Sequence, residues 1–151
     1  MLHQAVQLNQ QHTDFYFNAT FGYLKQLLHP VNTFIITDST IYSLHARVFK
    51  SWKTIVIPSG EENKNIETIQ FVIHQLIQLK ADRTATLVGV GGGVVTDITG
   101  FVASIYMRGV AFGFVPTTLL AMVDASIGGK NGIDIGLYKN IMGTIRQPSF
   151  L

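Results

Sequence analysis

A glycine-rich stretch carries the clearest chemical signal in this sequence. Residues 89–97 read Gly-Val-Gly-Gly-Gly-Val-Val-Thr-Asp, between an apolar run that ends at Val88 and another that begins at Ile98. Glycines let a backbone turn sharply and approach phosphate oxygens, and the first N–H groups of a following helix lack partners and attract anions. A strand, a glycine turn and a helix in this order predict a nucleotide or dinucleotide site, with the diphosphate on the amides of residues 91–94.

The spacing of these glycines leaves a second interpretation open. It differs from the G-x-G-x-x-G pattern of many dinucleotide-binding loops, because Val94 stands where a third glycine counted from Gly89 would be. The segment is therefore either a diphosphate cradle or an ordinary tight turn between a strand and a helix.

Polar residues also follow the turn at residues 58–60. Glu61 and Lys64 come just after a predicted strand, and in a doubly wound sheet such strand ends form the ligand crevice. A carboxylate there accepts hydrogen bonds from ribose hydroxyls, and a lysine contacts phosphate. The alternative is that Glu61 and Glu62 only complement the dipole of the next helix.

Asp97, Thr117 and Thr118 follow the next two predicted strands. Asp97 lies in the first turn after the glycines and suits the nicotinamide end of a dinucleotide or a bound water, whereas the alternative is a helix cap. The hydroxyl groups of Thr117 and Thr118, just after Pro116, suit a phosphate or a nucleotide amide, and a helix N-cap is again the alternative.

Charged residues in the later part of the chain indicate a substrate site. Asp124 lies in an apolar run, where an unpaired carboxylate is costly. Lys130 follows two glycines, and a lysine beside an anionic substrate acts as a point charge or proton donor, as would Lys139. The alternative is a buried Asp–Lys pair that only ties the loop. Arg108 follows a predicted helix, and it either complements the helix dipole or reaches a neighbouring subunit's site.

Composition limits the class of protein. The 151 residues are enough for one domain with a buried core. Hydrophobic residues make up 47% and charged residues only 13%, so we expect one surface to lie against another domain or subunit. A net charge of +2 with scattered lysines and arginines argues against nucleic acid, and the absence of cysteine excludes disulfides and thiolate metal sites.

Membrane insertion and metal binding are not expected either. Asp97, Arg108, Asp124 and the glycines interrupt every apolar stretch before about 18 residues. Residues 1–10 lack the basic start and long apolar run of a signal peptide, so we expect a soluble cytoplasmic protein. The five histidines all precede the glycine turn and do not cluster with acids, so we expect no metal ligand among them.

Strands and helices alternate along the chain and place the polar residues described above. Apolar and β-branched runs predict strands at 14–18, 33–37, 54–57, 84–90 and 110–115. Apolar periodicity predicts a helix over 66–76, and shorter patterns predict helices at 21–29, 41–49 and from the glycine turn to about 106.

This order predicts an open α/β fold, a doubly wound, mainly parallel sheet with helices on both faces. Residues 116–151 show no clear element and no obvious closing element at the end of the chain. Their polar residues among glycines indicate a site that faces a missing partner.

Five sequence blocks resemble the N-terminal half of the 3-dehydroquinate synthase family of the shikimate pathway. They are residues 58–64 (Pro-Ser-Gly-Glu-Glu-Asn-Lys), 91–97, 106–109 (Tyr-Met-Arg-Gly), 116–120 (Pro-Thr-Thr-Leu-Leu) and 123–130, the last followed by Lys139-Asn140. Together they span roughly residues 34–148. The resemblance implies that residues 1–151 form an N-terminal NAD-binding domain with a Rossmann-like fold.

The resemblance also implies an activity. Such enzymes are lyases that convert 3-deoxy-D-arabino-heptulosonate 7-phosphate, a phosphorylated sugar acid, to 3-dehydroquinate and phosphate. NAD oxidises a ring hydroxyl and is later restored, while a divalent metal, zinc or cobalt, polarises that hydroxyl. The metal ligands lie in a C-terminal helical domain that this chain does not include. We therefore expect an inactive chain and a full-length parent that is a homodimer.

Residue roles follow by position in the family's motifs. The residues that the resemblance implies for NAD binding are Ser59, Gly60, Glu61, Lys64, Gly92, Gly93, Val94, Asp97, Thr117, Thr118, Lys130 and Lys139. Those that it implies for catalysis and substrate contact are Asp124, Lys130, Asn140 and Arg108. Arg108 is expected to reach the substrate phosphate, in the neighbouring subunit.

The chain departs from the family's frequent residues at four positions. Thr40 and Asp134 each replace a frequent Asn, and Asn131 replaces a frequent Thr. Tyr138 stands where Gly commonly precedes Lys-Asn. Two other kinds of function stay open from the sequence. One is a related sugar-phosphate cyclase of secondary metabolism, and the other is a nucleotide-binding module without chemistry of its own.

Overall fold

The computed structural model describes residues 1–8 and 11–151, in which strands and helices alternate. Their order is β1 (Leu2–Leu8), β2 (Gln11–Phe17), α1 (Leu24–Leu27), β3 (Thr33–Asp38), α2 (Ser39–Phe49), β4 (Lys53–Ile57), α3 (Ile66–Gln78), β5 (Thr86–Gly91), α4 (Gly93–Ile105), β6 (Ala111–Pro116), β7 (Lys130–Ile135) and β8 (Tyr138–Ile145). No helix within these two ranges is long and apolar enough to cross a membrane.

Four parallel strands form the central sheet in the spatial order β4-β3-β5-β6. From β3 the chain first adds β4 on one side and then β5 on the other. The loops that follow β3 and β5 therefore diverge to opposite faces, which leaves a crevice at the carboxyl ends of these two strands.

Alternating side chains of the strands face two separate layers of helices. Phe34 and Ile36 of β3 pack with Val72 of α3 and Ile98 of α4 in one apolar cluster. Ile35 packs on the opposite face with residues of α1 and α2. The prediction of a doubly wound α/β fold with helices on both faces is confirmed.

The helices begin close to where the sequence predicts them. The side chain of Asn65 accepts a hydrogen bond from the N–H of Thr68 at 2.9 Å and caps α3. The helix predicted over residues 21–29 is shorter, a 3₁₀ turn followed by the four residues of α1. It ends because Leu28 adopts an extended backbone two residues before Pro30.

The end of the chain does contain a closing element, contrary to the expectation from sequence. Phe150 bridges Asp14 of β2 and Gly113 of β6 in parallel register. The N–H of Ser149 donates to Phe112 O at 2.7 Å, and the N–H of Leu151 donates to Asp14 O at 2.8 Å. Residues 149–151 thereby join the antiparallel β1–β2 hairpin to the central sheet. The sequence did not reveal this element because it is an isolated bridge at Phe150, too short for an alternating pattern.

A second hairpin lies in the region where the sequence predicted no element. β7 and β8 pair antiparallel, with Gly132 opposite Gly143. A Cβ at Gly132 would lie 2.8 Å from the backbone oxygen of Met142, so this close approach needs glycine. Nearly every residue of β8 is exposed, which removes the alternation of apolar and polar residues that signals a strand.

The first strand was also missing from the predictions. β1 lies near the start of the sequence, where no strand was predicted, and pairs antiparallel with β2. Asn9 and Gln10 lie outside the described residues.

Exposed apolar side chains cover the hairpin and the segment before it. They include Leu119 (75% exposed), Val123 (62%), Leu137 (97%), Ile141 (64%) and Ile145 (79%). This surface agrees with the expectation, from the low share of charged residues, of a face that lies against another domain or subunit.

We expect Phe150→Ala to destabilise the chain by about 3 kcal/mol, because it removes a buried ring from the joint between two sheets. Urea unfolding followed by circular dichroism measures the change. Phe71→Ala is the matched control, since Phe71 is 42% exposed and should cost less than about 1 kcal/mol. Equal losses in the two variants would contradict the closing role of Phe150.

Candidate functional site

A crevice of about 260 Å³ opens at the carboxyl ends of all four parallel strands. Several residues that the sequence predicted for cofactor binding line it. They are Ser59 and Gly60 after β4, Gly92, Gly93 and Val94 after β5, and Thr117 and Thr118 after β6. The glycine turn is therefore at the surface of a ligand-sized crevice and not inside the core.

The N-terminus of α4 faces this crevice without a side-chain cap. Its N-cap is Gly92, and no side chain caps it by accepting a hydrogen bond from an N–H of the first turn. In the described part of the chain, the N–H groups of Gly93, Val94 and Val95 have no hydrogen-bond partner, whereas the N–H of Thr96 donates to Gly92 O at 3.1 Å. Three free amides and the positive end of the helix dipole form a ready anion site.

Ser59 ties the loops on either side of the crevice together. Its hydroxyl accepts the N–H of Thr40 at 3.0 Å and lies 3.2 Å from Asp38 Oδ1. Asp38 also caps α2 by accepting the N–H of Ile41 at 2.9 Å. The loops after β3 and β4 are thus fixed to each other beside the crevice.

Lys64 is the centre of a charged cluster at the edge of the crevice. Its side chain is only 6% exposed. Nζ lies 3.1 Å from Glu61 Oε1, 3.2 Å from Asp97 Oδ2 and 2.8 Å from Asn140 Oδ1. The structure thus brings together four residues that the sequence predicted separately. All three N–H donors of the ammonium have protein acceptors.

The cluster raises the pKa values of both Asp97 and Lys64, but for different physical reasons. Burial raises the pKa of Asp97 to about 6, although the charge and hydrogen bond of Lys64 oppose the shift. Burial by itself would lower the pKa of Lys64, but the hydrogen bond and charge of Glu61 and Asp97 outweigh it and raise that pKa. Asp97 therefore changes its charge close to physiological pH.

Asp134 belongs to the same cluster, and the sequence analysis did not place it in the site. Its Oδ2 lies 2.8 Å from Lys139 Nζ, and its Oδ1 accepts the N–H of Asn140 at 2.7 Å. Oδ1 is also 4.0 Å from Lys64 Nζ. Burial would raise the pKa of Asp134, but its hydrogen bonds with Lys139 and Asn140 lower it. The only signal in the sequence was its departure from the family's frequent Asn.

Two of the alternative interpretations are wrong, and one is confirmed. Asp97 does not cap α4, because Gly92 occupies the N-cap and Asp97 contacts Lys64 instead. The alternative that Asp124 forms a buried ion pair that only ties the loop is wrong too. Asp124 and Lys130 are both exposed and form no ion pair within the described residues. Thr118 does cap the next turn, since its hydroxyl accepts the N–H of Ala121 at 3.2 Å.

The predicted catalytic residues Asp124, Lys130 and Arg108 are not gathered at the Lys64 cluster. Asp124 was expected to be costly in an apolar run, but Met122 and Val123 beside it are exposed as well. Arg108 follows the C-terminus of α4, and the 13 residues of that helix span about 20 Å from the crevice. Their roles in catalysis stay predictions.

The described residues offer no metal centre. All five histidines are exposed. Among residues 1–8 and 11–151, no three His, Asp or Glu side chains are grouped so that they could hold a metal ion.

A larger groove of about 520 Å³ lies beside α1 and the C-terminus of α2. Phe21, Lys25, Arg47, Lys50 and Trp52 line it. None of the residues predicted for the site lies there, and the chemistry is concentrated at the smaller crevice.

Residues 54–151 match the family model for the N-terminal part of 3-dehydroquinate synthase. A 3-dehydroquinate synthase of Pyrococcus furiosus is 43% identical over 139 residues, which cover 88% of this chain and 41% of that protein. One of Acetivibrio thermocellus is 54% identical over 96 residues, 64% of this chain and 27% of that protein. The chain spans less than half the length of these curated relatives.

Solved structures of related enzymes share the fold. The chain matches 2-deoxy-scyllo-inosose synthase with a TM-score of 0.86 and 26% identity, over 99% of this chain and 46% of that one. It matches the 2-epi-5-epi-valiolone synthase of Streptomyces hygroscopicus subsp. jinggangensis, bound to NAD+ and Zn2+, with a TM-score of 0.82 and 28% identity, over 97% and 43%.

A Rossmann-like sheet with an uncapped helix N-terminus at its switch point defines an α/β protein with an anion-binding crevice. Within that class, the chain belongs to the 3-dehydroquinate synthase family and corresponds to its N-terminal part.

We expect the side-chain carboxyl of Asp97 to titrate with a midpoint near pH 6 in a ¹³C NMR titration of the chain. Lys64→Met should raise this midpoint further, because the ammonium opposes the effect of burial. Lys25→Met, a control far from Asp97, should leave it unchanged. Because the folded pKa exceeds the usual value of 3.8, ionisation of Asp97 lowers the stability of the fold as the pH rises from about 4 to about 6. A midpoint near pH 4 would contradict this environment.

Proposed function

We propose that this chain is the NAD-binding half of a 3-dehydroquinate synthase, the enzyme that forms 3-dehydroquinate and phosphate from 3-deoxy-D-arabino-heptulosonate 7-phosphate. The observation that carries the proposal is the set of free amides at Gly93, Val94 and Val95, open to a crevice at the switch point of the sheet. A diphosphate needs such donors, and here no side chain competes for them.

Residues of the crevice and of the adjoining Lys64 cluster suit different parts of NAD. Gly92 has no Cβ that would stand between the α4 amides and a diphosphate. Ser59 and Glu61, beside β3 and β4, suit hydroxyl groups of ribose. Thr117 and Asp97, beside β5 and β6, suit the nicotinamide half. When bound, NAD supplies reversible hydride acceptance at a substrate hydroxyl.

Lys64 supports this site through its neighbours. Its three donors already bind Glu61, Asp97 and Asn140. It therefore orients a carboxylate on the ribose side and a carboxylate on the nicotinamide side, and it leaves the attraction of the diphosphate to α4. Asp97, with a pKa of about 6, can hold or release a proton near neutral pH at that end.

The substrate end of the site is incomplete in these residues. Asn140 lies at the cluster, while Lys130 is exposed to solvent on the adjoining hairpin. The described residues offer no group of ligands for the divalent metal that related enzymes hold. We propose that a C-terminal domain of a longer protein supplies the metal ligands, and that the chain by itself is inactive.

The exposed apolar face of the hairpin supports a covering partner in the longer protein. Leu137 and Ile145 are almost fully exposed, which is unusual for a face that stays in water. A homodimer in the cytoplasm, with Arg108 reaching the phosphate of the partner's substrate, belongs to the same proposal.

Gly93→Asp tests the diphosphate site without removing the helix. A Cβ at Gly93 meets nothing closer than Ala125 at 3.7 Å, and an aspartate suits a helix N-terminus. We expect a normal circular dichroism spectrum and at least about tenfold weaker NAD binding by isothermal titration calorimetry, because the new carboxylate repels the diphosphate. Gln78→Glu adds the same charge at the far end of α3 and should leave binding unchanged. Equal affinity in both variants would overturn the assignment.

The reaction itself is tested in the longer protein that contains this chain. We expect phosphate release from 3-deoxy-D-arabino-heptulosonate 7-phosphate, and none from glucose 6-phosphate. The reverse preference would indicate a related sugar-phosphate cyclase. NAD binding without any turnover would indicate a nucleotide-binding module.

A further inference from the structure

Asp134 occupies an irregular position in the β7–β8 hairpin. Ile133 pairs with Met142 and Ile135 pairs with Tyr138, so the single residue Asp134 of β7 lies opposite three residues of β8, 139–141, and β8 bulges there. A bulge turns one residue out of the regular ladder and often re-aims its side chain at a functional site. The residue opposite the bulge, Asp134, is an acid whose side chain is only about a tenth exposed.

A backbone hydrogen bond connects Asp134 to the loop that carries Lys64. The N–H of Asp134 donates to Lys64 O at 2.9 Å. This backbone bond fixes the hairpin beside the crevice independently of any side chain. The carboxylate of Asp134 then has a defined place, from which it reaches the other strand of the hairpin.

The carboxylate makes two contacts to consecutive residues of β8. Oδ2 is 2.8 Å from Lys139 Nζ, and Oδ1 accepts the N–H of Asn140 at 2.7 Å. Asn140 has φ = +51°, a left-handed conformation that is uncommon for residues other than glycine. A charge-assisted bond to its N–H stabilises that conformation, and this conformation is the one that brings Asn140 Oδ1 to Lys64.

We propose that Asp134 is a positioning residue, whose carboxylate holds the ammonium of Lys139 and the backbone of Asn140 in the geometry that presents both to ligands of the crevice. The proposal rests on the proposed function for the identity of the ligand. The geometry that it assigns to Asn140 does not depend on the ligand.

Two substitutions distinguish a positioning role of the Asp134 side chain from an effect of its negative charge alone. Asp134→Asn keeps an oxygen acceptor for the Asn140 N–H, whereas Asp134→Ala removes it, and both remove the same negative charge. We expect Asp134→Ala to weaken NAD binding to the chain at least about tenfold. Asp134→Asn should stay within about threefold of the native affinity, because the acceptor is retained. Glu67→Gln, an exposed acid on α3 with the same loss of charge, should behave as native.

A second readout needs no NAD. In hydrogen exchange followed by NMR, the backbone N–H of Asn140 should be protected in the native chain and in the Asp134→Asn variant. It should exchange at least about tenfold faster in the Asp134→Ala variant. A native chain that fails to bind NAD would count against the proposed function, and the exchange result would still decide the positioning. An unprotected Asn140 amide in the native chain, or two variants that behave alike, overturns the proposal.

Discussion

The burial of one ammonium group, that of Lys64, organises the functional edge of this domain. A lysine that is 6% exposed is stable only if each of its donors meets an acceptor, because an unpaired buried charge costs several kcal/mol. Three segments supply those acceptors: the turn before α3 through Glu61, helix α4 through Asp97, and the β7–β8 hairpin through Asn140. The hairpin, far along the chain, is thereby held beside the carboxyl ends of the parallel strands.

The lysines and the helix N-terminus have different electrostatic roles in the site. The lysines Lys64 and Lys139 already face carboxylates at about 3 Å, so they are largely neutralised. The free amides at the start of α4 are not neutralised, and together with the helix dipole they provide about half a positive charge at the helix end. An anionic ligand is therefore drawn to the glycine turn, while the charged cluster fixes the shape of the crevice around it.

The sequence was sufficient to predict the central sheet and the crevice. The apolar runs that became β3 to β6 reflect the burial of both faces of the sheet. The apolar periodicity of α3 reflects the burial of one helix face, formed by Ile66, Ile69, Ile73 and Leu76. Because parallel strands end at one edge, residues that follow those strands had to meet. This is why Ser59, Gly92 and Thr117 could be placed in one site from their positions alone.

The β7–β8 hairpin and Asp134 were not predictable in the same way. The pairing of Gly132 with Gly143 depends on a close backbone approach that no local pattern encodes. The exposed residues of β8 show no alternation. Asp134 gains its contacts from the irregular pairing of β7 with β8, and the extended segment around Phe150 gains its hydrogen bonds only from distant partners. In each case tertiary contacts, and not local preference, determine the structure.

A titration of the ¹⁵N-labelled chain with NAD, followed through its amide resonances, tests the diphosphate site most directly. The largest chemical shift changes should fall on Gly93, Val94 and Val95, whose N–H groups are free in this structure, with smaller changes at Thr117. Changes confined to the groove beside Phe21 and Trp52 would mean that the uncapped end of α4 is not where the cofactor binds.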